Sequence, residues 1–223
     1  MKKTLYVENR KSWKKEYGTF LDRKDKISFD IKKINEIFPL EKNKAIVLDA
    51  GCSYGYHLRL LKNVNPLLNL FGLEISSDAS EDSKNLKVAK IFNQSIAEKM
   101  PFKNNSVDLI YSMDVVEHLK DEKEFSSFLN EASRILKPRA KLIIKTPAMT
   151  FSSLIAAFFS FNLKKYFAKD HTLPLNYKKI KKLTPSFLEI EKVFYTANKN
   201  QKLLNLICNM LTMHHIWVVL KKK

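Results

Sequence analysis

The chain is poor in cysteine and glycine, and the first of these shortages excludes two kinds of protein. Only two of the 223 residues are cysteine and only four are glycine. Cys52 and Cys208 lie far apart without a CxxC pair, which excludes a disulfide framework and a cysteine zinc site and favours a reducing, cytoplasmic setting. The five histidines are not clustered with carboxylates or cysteines, so we predict no metal site.

Long apolar runs are also missing. No stretch approaches the roughly 18 apolar residues of a membrane-spanning helix, and residues 1–15 lack the apolar run of a signal peptide. We therefore expect a soluble protein with at most peripheral membrane contact. Its hydrophobic fraction of 45% is enough for the core of one domain.

Basic residues are abundant, yet only five of the forty are arginine. Residues 1–150 carry 27 basic and 20 acidic side chains, whereas residues 151–223 carry 13 and 3, so the last third is the basic part. Such a surface can attract the phosphates of nucleic acid or of an anionic membrane. However, bidentate phosphate recognition favours arginine over lysine, and the richness in lysine, asparagine, isoleucine and phenylalanine is also expected from AT-rich coding DNA. Both interpretations stay open.

Short apolar runs alternate with helical patterns. The predicted strands are residues 45–50, 69–75, 88–92, 107–112 and 140–146, followed by the β-like runs 187–195 and 214–220. Helices are predicted at residues 56–64 and, from the apolar spacing of residues 125–136, before Pro138. This alternation predicts an α/β fold with a parallel sheet covered on both faces, and the last two runs predict an antiparallel pair at its end.

Two of the four glycines, Gly51 and Gly55, occur directly after the first predicted strand. Glycine permits a tight strand-to-helix turn and lets a ligand approach the backbone closely. The second strand ends near Glu74, about 25 residues beyond Asp49, where an acidic side chain can accept hydrogen bonds from ribose hydroxyls. Together these features predict a site for an adenosine-bearing cofactor.

The stretch VLDAGCSYG at residues 47–55 resembles the first motif of class I S-adenosylmethionine-dependent methyltransferases. Four further stretches resemble the small-molecule and lipid branch with LPF, SFD, EH and LKPGG motifs. They are EKMPF with NSVDLI at 98–110, VVEHL at 115–119, EASRILKP at 131–138, and LII at 142–144. The resemblance covers about residues 44–147 and implies a Rossmann-like seven-stranded sheet whose last strand is antiparallel, with helices on both faces.

The resemblance also implies S-adenosyl-L-methionine as the cofactor and a set of residues that hold it. Asp49 and the backbone of Gly51 and Cys52 would face its methionine part, with Gly55 allowing close packing below. Glu74 would hold the ribose and Ile75 would pack on adenine. Ile96 would offer a backbone N–H to adenine, and Ser112 would offer backbone near the methionine amino end.

The chain departs from the family pattern at three places. Ser53 replaces the usual middle glycine, Ile96 replaces a common aspartate, and Arg139-Ala140 replaces the glycine pair before the fifth strand, so we expect a different turn there. We interpret the chain as one methyltransferase domain: an N-terminal helical lid at 1–43, a cofactor-binding core at 44–147, and an acceptor-side region with closing strands at 148–223. Trp13, Tyr17 and Phe20 have helical spacing and are either lid or packing residues.

His171 is the candidate catalytic base, because it follows the fifth strand and an imidazole suits proton removal at neutral pH. A surface role is its alternative, and we interpret His118 as structural.

The run from Pro147 to Phe161 is apolar and followed by lysines; it could line an acceptor pocket, lie at a membrane interface, or simply pack in the core.

The sequence therefore predicts a methyltransferase acting on a small, apolar or lipid-linked acceptor. An RNA methyltransferase is the first alternative; the +17 charge favours it, but the Pro-Pro-Tyr type motif of base-amino methylators is replaced by Ser112-Met113-Asp114-Val115. A non-catalytic cofactor-binding partner subunit is the second alternative, because of the three departures.

Overall fold

The computed structural model describes residues 20–40, 44–148, 172–196 and 215–223. Five α-helices and seven strands lie in these ranges. They are α1 Phe20–Ile37, β1 Ile46–Ala50, α2 Tyr56–Val64, β2 Asn69–Leu73, α3 Ser77–Asn85, β3 Lys90–Phe92, β4 Val107–Met113, α4 Glu122–Ile135, β5 Leu136–Pro147, α5 Tyr177–Leu183, β6 Leu188–Thr196 and β7 His215–Lys222.

The strands form one sheet in the order β3-β2-β1-β4-β5-β7-β6. All pairs are parallel except those of β7, which runs antiparallel to both β5 and β6. The predicted seven-stranded Rossmann-like sheet with an antiparallel last strand is thereby confirmed. The strand order reverses direction between the neighbours β1 and β4. Their carboxyl ends therefore form the crevice where such sheets bind ligands.

Alternation along each strand sends side chains to two faces. One face carries Val47, Leu109 and Ile143 and is packed by residues of α1 and α2. The other face carries Leu48, Ile110 and similar residues and is packed by the phenylalanines of α4. Helices thus cover both faces, as the alternating pattern predicted.

Strand limits differ from the predicted ones where turns begin. β2 ends at Leu73, two residues early, because Glu74 and the residues after it enter the turn that leads to α3. β5 begins at Leu136, so Arg139 lies inside the strand rather than in a turn before it. Arg139 has φ 67°, in the left-handed region that favours glycine. The sequence predicted a different turn where Arg139-Ala140 replaces the usual glycine pair. In the structure, Arg139 adopts a glycine-like backbone conformation beside the register irregularity between β4 and β5.

Helix α3 has almost no apolar residues, which explains why periodicity did not reveal it. Ser76 caps it, since the side-chain oxygen accepts a hydrogen bond from the N–H of Ala79. In the ranges that the structure describes, no helix is both long and apolar enough to cross a membrane.

Candidate functional site

The glycine turn connects β1 to α2. The N–H groups of Gly51 and Cys52 both donate to the carbonyl of Leu73, at 2.9 Å each, and so fasten the turn to the end of β2. Gly55, with φ 71°, stands at the start of α2. Because those two N–H groups are bonded to β2, the turn can present its carbonyl groups to a ligand. The missing side chain of Gly51 lets the ligand approach the backbone.

Gly51 is required here by conformation and by space. Its φ of 93° is rare for other residues, and a Cβ at this position would lie 2.5 Å from both Cγ atoms of Val115. A Cβ at Gly55, where φ is also positive, would overlap the hydroxyl of Ser83. Val115, shortly after β4, and Ser83 of α3 therefore both approach this turn closely.

The Cys52 side chain packs in the core. It is 3% exposed, and its Sγ lies 3.9 Å from the Ser83 hydroxyl, in space left by the missing side chain of Gly72. Burial raises the pKa of the thiol well above its ordinary value. Cys52 can therefore contribute only its backbone to a bound ligand.

Glu74 holds two backbone segments together. Its Oε2 accepts from the N–H of Ser53 at 2.9 Å, and its Oε1 accepts from the N–H of Ser76 at 2.6 Å. A carboxylate has about four acceptor positions, so these bonds are compatible with accepting from ribose hydroxyls as well. Ile75, beside it, is 37% exposed, whereas Ile96 is 5% exposed and belongs to the core.

Asp49 lies opposite Tyr111 in the register of β1 and β4, on the face packed by α1 and α2. It is only 2% exposed, and burial raises its pKa to about 7. The Tyr111 hydroxyl lies close enough to interact with the carboxylate, yet within the described structure neither Asp49 Oδ2 nor the hydroxyl oxygen has a hydrogen-bond partner of good geometry. Asp49 is thus a buried carboxyl group next to the glycine turn that forms no ion pair with the described residues, and the nearby His57 offsets its burial only in part.

Ser112 joins the two central strands. Its side chain is fully buried, and its hydroxyl donates to the carbonyl of Ala50 at 2.9 Å. The predicted residues Asp49, Gly51, Cys52, Glu74 and Ser112 therefore meet at the carboxyl end of β1, β2 and β4. Their contacts with a cofactor stay predictions.

A cluster of charged residues near this crevice was not predicted from the sequence. Lys145, on β5, is 2% exposed and lies 2.9 Å from Asp30 Oδ2 and 3.0 Å from Asp114 Oδ2. Lys26 approaches Asp114 to 2.7 Å, and His215 approaches it to 3.4 Å. The available signal was a lysine inside the apolar strand AKLIIKT, which a buried strand tolerates only with an anionic partner.

Glu117 lies on the face of the sheet packed by α4 and, unlike Asp30 and Asp114, has no lysine partner among the described residues. It is 3% exposed, accepts a hydrogen bond from Thr146 at 3.0 Å, and its pKa is raised to about 8 by burial and by the negative charge of Asp114. Its neighbour His118 is half-buried. His171, the predicted base, lies outside the described residues, as do Trp13, Tyr17 and most of the apolar run 147–161.

Metal ligands were not predicted, and the residues that the structure describes contain no group of three histidine, cysteine or acidic side chains that could hold an ion.

Comparisons with known proteins give this architecture a class. Residues 48–144 match a family model described as a methyltransferase domain. An uncharacterised protein of Methanocaldococcus jannaschii is 36% identical over 103 residues, which cover 46% of this chain and 41% of that protein. A ubiquinone biosynthesis O-methyltransferase of Bartonella bacilliformis is 31% identical over 117 residues, covering 48% and 43%.

Among solved structures, the fold resembles a complex between the Haloferax volcanii Trm112 methyltransferase activator and a methyltransferase. The TM-score is 0.72 at 17% identity, with 95% of this chain and 96% of that chain covered. At this identity the likeness concerns the fold.

The sheet has the topology of the Rossmann-like methyltransferase fold. Residues 48–144 are a methyltransferase domain of the class I S-adenosylmethionine-dependent kind. The chain spans about two fifths of the length of the curated relatives that it matches.

The residues present fit this cofactor. The turn at Gly51 has no room for a side chain, Glu74 presents a carboxylate beside that turn, and Asp49 presents a buried carboxyl oxygen without a hydrogen-bond partner in the described structure. A sulfonium and an ammonium group both carry positive charge, which a buried carboxylate stabilises.

Proposed function

We propose that this chain transfers a methyl group from S-adenosylmethionine to a small, apolar or lipid-linked acceptor. The observation that carries the proposal is the pairing of the glycine turn with Glu74, since Glu74 Oε2 binds the backbone of Ser53 inside that turn. One side chain thus connects the ribose position with the methionine position.

The cofactor contacts that we propose follow the order of the strands. From β1 and its turn come Asp49 with the backbone of Gly51 and Cys52, and Gly55 allows close packing below them. After β2, Glu74 holds the ribose and the exposed Ile75 covers adenine. Ile96 contributes backbone at adenine, and Ser112 contributes backbone near the amino end of the methionine part.

When bound, S-adenosylmethionine supplies a methyl group already activated by the positive sulfur. The protein then has to align the acceptor with that methyl group and to exclude water. An acceptor that must lose a proton also needs a base, and we assign this role to His171. Glu117 and Asp114 are unsuited to it, since Glu117 is buried and bonded to Thr146 and Asp114 is held by two lysines.

The acceptor class rests on two lines of support. The matched relative from Bartonella bacilliformis is named for ubiquinone biosynthesis, which points to a small apolar acceptor. The apolar run at 147–161, followed by Lys164, Lys165 and Lys169, suits an acceptor with an apolar body near an anionic surface.

Cofactor binding is tested with Glu74→Gln and with S-adenosylhomocysteine as the titrant in calorimetry. Loss of the charged acceptor for two ribose hydroxyls should weaken binding about tenfold to a hundredfold. Glu189→Gln is the matched control, because Glu189 is exposed and lies on β6, at the sheet edge opposite to β3 and β2. Equal affinity of Glu74→Gln and the unchanged protein would refute the site.

The acceptor is tested by transfer of a labelled methyl group into a cell extract that is then separated into lipid, nucleic-acid, protein and small-molecule fractions. We expect label in the lipid or small-molecule fraction. Label in RNA would instead assign the basic last third to RNA binding. Cofactor binding without any transfer would favour the non-catalytic partner subunit.

The base is tested with His171→Ala. If His171 removes a proton from the acceptor, transfer should fall about a hundredfold or more while the dissociation constant for S-adenosylhomocysteine stays the same. His118→Ala serves as its control. An unchanged transfer rate in His171→Ala would remove this histidine from the mechanism.

A further inference from the structure

The buried lysine of β5 connects the N-terminal helix with the cofactor side of the sheet. Alternation along β5 places Ile143 and Lys145 on the face packed by α1 and α2, while Thr146 points to the opposite face. On that face the Lys145 ammonium meets both carboxylate oxygens of Asp30, at 3.1 and 2.9 Å. Asp30 lies on α1 and is itself 1% exposed.

The same ammonium also binds the residue that follows β4. Lys145 Nζ lies 3.0 Å from Asp114 Oδ2, and the N–H of Asp114 donates to the carbonyl of Lys145 at 2.8 Å. Asp114 has φ 57°, in the left-handed region that few residues other than glycine adopt and in which aspartate is among the more frequent. Lys145 therefore holds both the side chain and the backbone of Asp114 in one arrangement.

The next residue touches the cofactor turn. Val115 lies against the Cα of Gly51, so closely that a Cβ there would collide with both of its methyl groups. Its position follows from the conformation of Asp114. A continuous chain of contacts thus leads from α1 through Asp30, Lys145 and Asp114 to Val115 and the glycine turn.

We propose that Lys145 is a positioning residue that couples the docking of α1 to cofactor binding. The inference rests on the proposed cofactor site. A cofactor seated at Gly51 fixes Val115 and Asp114, which in turn holds Lys145 where Asp30 can bind it. Conversely, loss of the ammonium leaves the Asp114 side chain held only by Lys26 and His215, so that Asp114 leaves its conformation more readily and Val115 shifts over the turn.

The test measures hydrogen exchange of the α1 amides with and without S-adenosylhomocysteine, together with the dissociation constant of that ligand. In the unchanged protein, we expect the ligand to slow exchange across residues 20–37. In Lys145→Met, exchange of α1 should be fast in both states, and the dissociation constant should rise about fivefold or more.

Two further variants make the test specific. Lys137→Met removes another lysine of β5, one paired with Asp108 at 2.7 Å, and should behave as the unchanged protein. Asp30→Asn removes the carboxylate by which Lys145 binds α1, leaves Lys145 bound to Asp114, and leaves Lys26 of α1 paired with Asp114 at 2.7 Å. It is the variant to use if Lys145→Met does not fold, and it should reduce the ligand effect on α1 and weaken ligand binding a few fold.

The outcomes separate the coupling from the proposed function. If the unchanged protein does not bind S-adenosylhomocysteine, both fail. If it binds, but α1 exchange ignores the ligand, or if Asp30→Asn and a folded Lys145→Met bind as tightly as the unchanged protein, only the coupling is overturned.

Discussion

Two groups of carboxyl groups, all buried except the half-buried Asp114, lie near the carboxyl edge of this sheet, and their electrostatics are opposite. Asp30 and Asp114 share the Lys145 ammonium. Burial by itself would raise the pKa of Asp114, but Lys145, Lys26 and His215 hold it well below its ordinary value. The same balance lowers the pKa of Asp30, where the hydrogen bond with His57 adds to the charge of Lys145.

Asp49 and Glu117 are equally buried but bind no lysine or arginine among the described residues, and burial raises their pKa values to about 7 and about 8. The first group therefore supports structure as ions, whereas the second group favours the protonated form. The difference teaches that Asp49, beside the turn proposed to receive a cationic cofactor, has among the described residues no lysine partner of the kind that keeps Asp30 and Asp114 ionised.

Removing the shared cation should have the largest effect. Lys145→Met takes the shared cation from buried Asp30 and half-buried Asp114, although His57 still contacts Asp30 and Lys26 still binds Asp114, and the free energy of unfolding should fall by at most about 3–5 kcal/mol. Urea denaturation at pH 7 measures this loss. Lys137→Met should change stability by less than about 1 kcal/mol, since its ion pair is largely exposed; equal losses in the two variants would erase the distinction.

Replacing the carboxyl groups by amides should change the free energy of unfolding in opposite directions in the two groups. Asp30→Asn loses charge-assisted hydrogen bonds and should destabilise the fold by about 2–3 kcal/mol. Asp49→Asn should stabilise it, because the native pKa of Asp49 lies above its unfolded value of 3.8 and ionisation is unfavourable in the fold. This gain should grow as the pH rises from about 4 to about 7 and then level off. Urea denaturation at pH 5 and pH 8 measures both; a destabilising Asp49→Asn at pH 8 would contradict the comparison.

Glu117→Gln should alter how stability depends on pH. The native pKa of about 8 exceeds the ordinary 4.5, so the native state binds more protons and stability falls as the pH rises between these values. Glutamine keeps an oxygen for the Thr146 hydroxyl and removes this fall. Melting temperatures from pH 5 to pH 9 measure it, with exposed Glu98→Gln as the control; parallel curves for the variant and the unchanged protein would disprove the prediction.

The smallest expected effect concerns the cofactor itself. Because ionised Asp49 attracts a cation, affinity for S-adenosylmethionine should increase as the pH rises from 6 to 8, by at most about tenfold for one proton. S-adenosylhomocysteine lacks the sulfonium charge and should show a weaker dependence. Calorimetry of both ligands tests this, and Asp49→Asn should flatten both curves. A steeper dependence for S-adenosylhomocysteine would show that another group titrates.

Much of the fold was predictable because local patterns agreed with the tertiary arrangement. The apolar run ending at Ala50, the helix at 56–64 and the final antiparallel pair all appear where periodicity indicated. Helix α3 was not predictable in this way, since its stability comes from the Ser76 cap and from packing of its few small residues. The ends of β2 and β5 depend on turns that propensity does not describe.

The candidate site divides in the same way. The glycine turn, Glu74 and Asp49 were visible in sequence because the ligand chemistry requires those residue types at that spacing. That Cys52 offers only backbone was not visible, since it depends on Gly72 of the neighbouring strand.

The amino-acid sequence by itself determined the class of fold, the glycine turn and the residue types around it, because these depend on contacts between near neighbours and on period-2 and period-3.6 patterns. Only the tertiary structure decided which buried acids are ionised. Asp30 and Lys145 are 115 residues apart in the chain, and electrostatic energy depends on distance in space and on burial, which strand order and helix packing create.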